Sequence, residues 1–159
     1  MIDDIDDRIL TILQENARVS NAEIARQVGM APSAILERIR KLEERGVIEG
    51  YVARVNPEAY GLWLTAYVFV RADERAGATA TAQRLAQIAE VQEVHHVAGE
   101  DCFLVKVRAG GTRALGELLR EKFGEIDTIR STRSTIVLDT IKDTWIVPAG
   151  AWREAQDEG

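Results

Sequence analysis

Apolar residues recur at helical spacing through the first 46 positions, and the period then shortens to that of strands. Ile5, Ile9, Ile12 and Leu13 share one face behind an acidic first turn, which predicts a helix fading near Asn16. Ser20-Asn21-Ala22-Glu23 has the form of a capping box and opens a second helix, with Ile24, Ala25 and Val28 inside and Gly29 to end it. Pro32 suits the first position of a third helix, where its missing N–H costs nothing. Ile35, Ile39 and Leu42 follow at helical spacing, and Gly46 closes the segment. Three short helices with a tight turn between the last two predict a helix-turn-helix. Val47 to Ala53 has the composition of a strand or wing, and Asn56-Pro57 that of a linker.

The remainder predicts the order βαββαβ. Strands are expected over Leu64–Arg71, Val91–Val97, Cys102–Ala109 and, long or broken, Ile126–Thr140. Helices are expected over Ala76–Ala89 and Thr112–Phe123. An internal echo supports two βαβ units: Val68-Phe69-Val70-Arg71-Ala72 and Val105-Lys106-Val107-Arg108-Ala109 share V-x-V-R-A, each ahead of a helix and a strand. The fold class is therefore α+β, an N-terminal winged helix-turn-helix plus a C-terminal βαββαβ ferredoxin-like sandwich. The expected boundaries are 1–52 for the helical domain, 53–62 for a linker, 63–146 for the sandwich and 147–159 for a C-terminal tail. The first strand is apolar on both parities, with Leu64, Ala66, Val68 and Val70 on one and Tyr67 and Phe69 on the other. Two helices cover only one face of such a sheet, so a homodimer through the other face is expected.

The third helix carries candidate chemistry. With Ile35, Ile39 and Leu42 as its buried stripe, Ser33, Glu37, Arg40, Lys41 and Glu44 point away and Arg38 and Arg45 flank it. A major groove admits one helix whose first turns meet base edges. Ser33, Ala34, Glu37 and Arg38 would lie there, with Arg40 and Lys41 nearer phosphates. The bland alternative is a solvated face laced by a Glu37–Lys41 pair. The capping signals, the turn glycine and the wing favour the DNA reading.

Charge narrows the picture. The chain holds 20 Lys+Arg and 26 Asp+Glu in 159 residues, a formal net charge of -6, which excludes a wholly basic coat. Residues 1–56 hold 8 Lys+Arg and 10 Asp+Glu. One such domain would contact few phosphates and bind weakly, so joined copies are needed. The single cysteine, Cys102, excludes an intramolecular disulfide framework and fits a reducing compartment. The acidic start is unlike a signal peptide, and no apolar run reaches the roughly 18 residues of a membrane helix. A cytoplasmic protein without membrane contact is expected.

With these residues in place the sequence resembles the Lrp/AsnC, or feast/famine, family of transcription regulators from about Ile5 to Ile146. The resemblance is carried by Asp6-Asp7-Arg8-Ile9-Leu10, Leu13-Gln14-Glu15-Asn16-Ala17-Arg18, Glu23-Ile24-Ala25 and Val28-Gly29. It continues in the run Arg38 to Ile48, in Val97-Ala98-Gly99-Glu100-Asp101-Cys102-Phe103-Leu104 and in the strand around Thr132 to Leu138. It implies a winged helix-turn-helix joined to a RAM/ACT-like sensing sandwich, double-stranded DNA as partner, and dimers that assemble further, often to an octamer. It also implies an amino-acid effector held by the turn after the second sensing strand and by the last strand. Carried onto this chain, that turn is Gly99, Glu100 and Asp101, and the last-strand candidates are Thr132, Ser134 and Thr135. Glycine permits close backbone approach, a carboxylate can pair with an α-ammonium, and hydroxyls can hold a carboxylate. Two departures stand out. Ala31 replaces the serine that often precedes the helix proline, and the tail after Ile146, with Pro148 and Trp152, lies outside the match.

Other constellations are weaker. His95 and His96 are strand neighbours and point to opposite faces, so a shared metal with Cys102 is disfavoured. A catalytic group of Cys102, His95 or His96 and Asp101 is disfavoured too, because Cys102 sits in an apolar strand. No Walker loop, dinucleotide fingerprint or HExxH motif occurs, so no enzyme, metal or cofactor is expected. The function expected is a sequence-specific DNA-binding transcriptional regulator modulated by a small effector. A ligand-independent, nucleoid-type architectural protein is the main rival. A small-molecule-binding module whose first domain mediates protein contacts is another.

Overall fold

The computed structural model describes residues 2–75, 77–99 and 102–150. The chain divides into two compact units, one comprising everything up to Arg54 together with the chain from Lys142 onward, the other Val55–Ile141. Residues 142–150, expected from sequence to end the sandwich and begin a separate tail, thus belong to the helical unit.

That unit holds three helices, α1 (Asp4–Glu15), α2 (Asn21–Val28) and α3 (Pro32–Glu44). Their starts follow local chemistry. Asp3 caps α1 by accepting from the backbone N–H groups of Ile5 and Asp6, and Asp6 reaches back to complete a capping box. Ser20 caps α2 by accepting from the Glu23 N–H at 3.2 Å. The other half of the expected box is diverted, because the Glu23 carboxylate accepts from Arg26 and Gln27 instead. Arg26, then Gln27, holds that carboxyl at about 2. Gly29 ends α2 in the left-handed conformation (φ 81), which a side chain would strain. Ala31 offers α3 no side-chain cap, and Pro32 opens the helix. Ile9, Ile24, Ala25, Ile35 and Ile39 form the core, at most 7% exposed.

Val47–Ala53, expected as a strand or wing, does not form a strand: no described residue from 47 to 56 belongs to one. A strand needs a ladder partner, and among the described residues the helical unit contains none. Tyr51 donates to the Glu43 carboxylate at 3.0 Å.

The returning segment is held on α1 by polar groups. The Gln14 side-chain amide clasps Val147, accepting from its N–H at 2.7 Å and donating to its carbonyl at 3.2 Å. The Gly150 N–H donates to the Asp7 carboxylate at 3.1 Å, and Arg54 pairs with Asp143 at 2.9 Å. Trp145 stays 80% exposed, so burial contributes little to this attachment. Removing residues 142–159 is expected to destabilise the helical unit by about 1–3 kcal/mol, and Gln14→Ala by about 1 kcal/mol, measured by urea unfolding. An unchanged midpoint after truncation would show that the clasp stabilises nothing. Trp152 lies outside the described residues.

The second unit is a four-stranded antiparallel sheet in the order β2-β3-β1-β4, formed by β1 (Leu64–Ala72), β2 (Val91–His96), β3 (Phe103–Ala109) and β4 (Ile129–Ile136). Helices α4 (Ala80–Ala86) and α5 (Thr112–Leu118) supply the two crossovers, so the order is the expected βαββαβ. The two strands that carry the sequence echo are neighbours in the sheet, and the first valines of the two copies, Val68 and Val105, lie opposite each other, both fully buried. Leu85, Phe103, Leu115, Leu118, Phe123 and Ile126 complete this core.

Three elements differ from expectation. Helix α4 is shorter than Ala76–Ala89, because Gly77 takes φ 82 and the helix starts only where Glu74 can cap it. The Glu74 carboxylate accepts from the Thr81 N–H at 2.7 Å and from its hydroxyl, which also shares a hydrogen bond with Thr128 at 2.6 Å. Helix α5 passes into a π-helical turn over Leu119–Phe123. Strand β4 ends at Ile136 rather than near Thr140, since its partner β1 begins at Leu64 and offers little beyond the Val137 N–H bond to Thr65. No helix among the described residues is long and apolar enough to cross a membrane.

Candidate nucleic-acid interface and effector face

Helix α3 buries Ile35, Ile39 and Leu42 and turns Ser33, Leu36, Glu37, Arg40 and Lys41 to solvent, with Ala34 half-buried. The outward cations are held by carboxylates of the same helix. Arg40 pairs with Glu37 at 2.9 Å and with Glu44 at 2.8 Å, and Lys41 lies 3.5 Å from Glu37. Arg40, with Lys41 behind it, holds the Glu37 carboxyl below the usual carboxylate range. These pairs are exposed, so they open at small cost when a phosphate competes for the cation.

Arg38 takes a different place from the other expected contact residues. It was expected among the groups meeting base edges, but its guanidinium turns back to α1, 2.7 Å from Asp6 and 2.8 Å from Asp3. The Asp6 side chain is 9% exposed and that of Arg38 28%. A buried carboxylate needs a cation, and Arg38 is the cation that reaches it. Arg38 is therefore a strut between α1 and α3, while Ser33, Glu37, Arg40 and Lys41 stay on the solvent-facing side of α3.

Leu36 was missed. It keeps 56% of its surface exposed on that same face. The helical wheel held the signal, since Leu36 falls about 100° from Ile35.

The expected effector residues are partly brought together. Gly99 lies in the β2–β3 hairpin turn with φ 130, a conformation in which a side chain is strained. Glu100 and Asp101 lie outside the described residues. On β4, Thr132 pairs opposite Val70 and Ser134 opposite Val68, so both share the helix-covered face of the sheet. Thr135 pairs opposite Tyr67 and projects from the other face. All three are exposed, because β4 is an edge strand. The Cys102 N–H donates to the Val70 carbonyl at 2.9 Å, so the hairpin turn and Thr132 lie at the same end of the sheet.

The open face of the sheet carries half-buried Tyr67, Phe69 and Leu104. Arg133 lies 4.1 Å from the centre of the Phe69 ring, and Lys106 donates to Glu93 at 2.8 Å. Lys106, then His95, holds the Glu93 carboxyl below its ordinary range. His95 sits 3.2 Å from Glu93 on this face, while His96 packs against Phe103 on the other, with ring centres 5.3 Å apart. The Cys102 thiol lies 3.5 Å from the Ala72 carbonyl.

A capped three-helix unit with a solvent-facing third helix, joined to a βαββαβ sheet with an open edge, defines a two-domain DNA-binding regulator. The family model described as winged helix-turn-helix DNA-binding matches residues 2–49, and that of the Lrp/AsnC ligand binding domain matches residues 65–146. The chain belongs to the Lrp/AsnC family of transcriptional regulators. It is 39% identical to the helix-turn-helix transcriptional regulator LrpA of Mycobacterium tuberculosis, over 87% of this chain and 91% of that one. A feast or famine regulatory protein of M. tuberculosis complexed with L-methionine superposes with a TM-score of 0.84, at 37% identity, covering 92% of this chain and 99% of that one. A transcriptional regulator–L-methionine complex from Neisseria meningitidis gives a TM-score of 0.88, at 27% identity, covering 96% of this chain and 99% of that one.

Proposed function

We propose that this regulator reads specific duplex DNA sequences with α3, acts as a homodimer or higher oligomer such as an octamer, and is shifted between states by a free amino acid. The observation that carries the reading is the outward face of α3, where Ser33, Glu37, Arg40 and Lys41 stand clear of the core. The effector part is supported by the L-methionine in two similar structures and by the turn at Gly99, near the exposed hydroxyl of Thr132. Glu100, Asp101, Ser134 and Thr135 remain candidates for the same role. The mechanism is population shift: an amino acid that binds one assembly better changes how the α3 helices are presented. The open sheet face, with Tyr67, Phe69 and Leu104, is the proposed dimer surface.

One set of titrations tests this. Arg40→Ala with Lys41→Ala is expected to weaken duplex binding about tenfold or more and to lower the salt slope by about 1–2, measured by fluorescence anisotropy. An unchanged slope would place the phosphate contacts elsewhere. A panel of common amino acids at millimolar concentration is expected to contain one that raises the melting temperature and alters duplex affinity. If none does either, the ligand-independent architectural role is favoured.

A further inference from the structure

Helix α3 turns one large apolar side chain outward into a polar surface. Leu36 is 56% exposed, and among the described residues of α1, α2 and α3 no other large hydrophobic side chain is exposed. It takes no part in the core built on Ile9, Ile24 and Ile35. Side chains three and four apart on a helix are neighbours, so Leu36 lies between Ser33 and Arg40. It stands four residues after Pro32, near the N-terminal end that a reading helix directs at base edges.

Arg40 and Lys41 begin in ion pairs with Glu37 and Glu44, and Arg38 is committed to Asp3 and Asp6. Ser33 and Leu36 are the exposed side chains at this end of the helix that meet a base edge without opening one of these ion pairs, and of the two Leu36 is the large apolar one. In the major groove the one apolar group on a base edge is the 5-methyl of thymine. We infer that Leu36 is a sequence-reading residue that packs against a thymine methyl in each half-site. The inference rests on α3 being the reading helix and adds the base that it selects.

The test deletes the methyl from the DNA rather than the side chain alone. A preferred duplex is first selected from a randomised pool with the full-length protein. Each thymine is then replaced, one position at a time, by deoxyuridine, which keeps every hydrogen bond and lacks the methyl. The wild-type protein is expected to lose about fourfold in affinity at one position per half-site, the effect of removing one buried methyl group. Leu36→Ala is expected to bind the thymine duplex more weakly and to show no further loss with deoxyuridine at that position, with its assembly by light scattering unchanged. Equal affinity of the wild type for thymine and deoxyuridine at every position would overturn the inference. So would a Leu36→Ala protein that keeps the full methyl sensitivity, or one that falls to a smaller assembly while keeping it. If no preferred duplex emerges and the Arg40/Lys41 variant binds like the wild type, α3 itself is not the reader, a failure distinct from the loss of Leu36 alone.

Discussion

Phe69→Glu is expected to turn the protein into a monomer at micromolar concentration and to weaken duplex binding by about 100-fold or more. Phe69 sits in the middle of the open sheet face, flanked across the ladder by Leu104 on β3 and Arg133 on β4. It is only half-buried in the single chain, and Arg133 already covers part of its ring. A glutamate there can pair with Arg133, so the isolated fold should tolerate it. A carboxylate pressed into an apolar subunit contact should not be tolerated, because its desolvation is unmatched. The loss of DNA affinity follows from the charge count. The residues up to Asn56 carry 8 basic and 10 acidic side chains, so one reading head gains little from phosphates. Two heads on one scaffold raise each other's effective concentration, which multiplies affinity by about 10²–10⁴. Light scattering and anisotropy check the two halves. A variant that stays dimeric would remove the open face as the dimer surface, and a monomer that binds as tightly as the wild type would remove the need for paired heads.

Arg38→Ala is expected to lower the stability of the helical unit by about 2–4 kcal/mol, because it leaves the nearly buried Asp6 carboxylate without its cation. Arg38 is itself partly exposed, which places the effect below that of a fully buried pair. For a unit of this size that is a fall of roughly 10–25 °C in melting temperature. Asp6→Asn should cost less, since no charge is then stranded. The pH dependence carries a second signature. The Asp3 carboxyl is held below its ordinary 3.8 by the Asp6 backbone N–H first and by Arg38 after it. A depressed acid contributes stability that is complete above its unfolded value and is lost as pH falls through the folded one. The wild type should therefore lose this contribution below about pH 4. Arg38→Ala should flatten that part of the acid limb by removing the Arg38 share and keeping the backbone share. Melting curves between pH 2 and 6 measure both. If Arg38→Ala leaves stability unchanged but reduces the salt slope of DNA binding, Arg38 reads DNA after all.

The fate of Arg38 shows where sequence reasoning stops. Its position beside the buried stripe of α3 was correct, yet the wheel has no knowledge of α1. Asp3 and Asp6 lie more than thirty positions earlier and meet Arg38 only when the helices pack. The acidic first turn therefore looked like a complement to the helix dipole alone. The last strand is a similar case. Thr132, Ser134 and Thr135 looked equivalent as hydroxyl-bearing strand residues, but their pairing with β1 places Thr135 across the sheet from the other two. Alternation separates Thr135 from the other two, but which pair faces the helices is set by register with the partner strand, where Thr132 meets Val70 and Ser134 meets Val68. Val47–Ala53 is the reverse case: its strand-like composition has no strand to pair with among the described residues of the helical unit.

What the sequence determined by itself was local or periodic. Ser20, Gly29 and Pro32 set helix ends through bonds and backbone angles within a few residues. The V-x-V-R-A echo and its alternation specified two buried strands whatever lay around them. Tertiary structure alone decided which charges meet, which face each β4 side chain joins, and that the chain returns from the sheet to clasp α1 through Gln14 and Asp7. Those outcomes depend on groups distant in the chain and close in space, and a one-dimensional pattern of residue types contains no term for that distance.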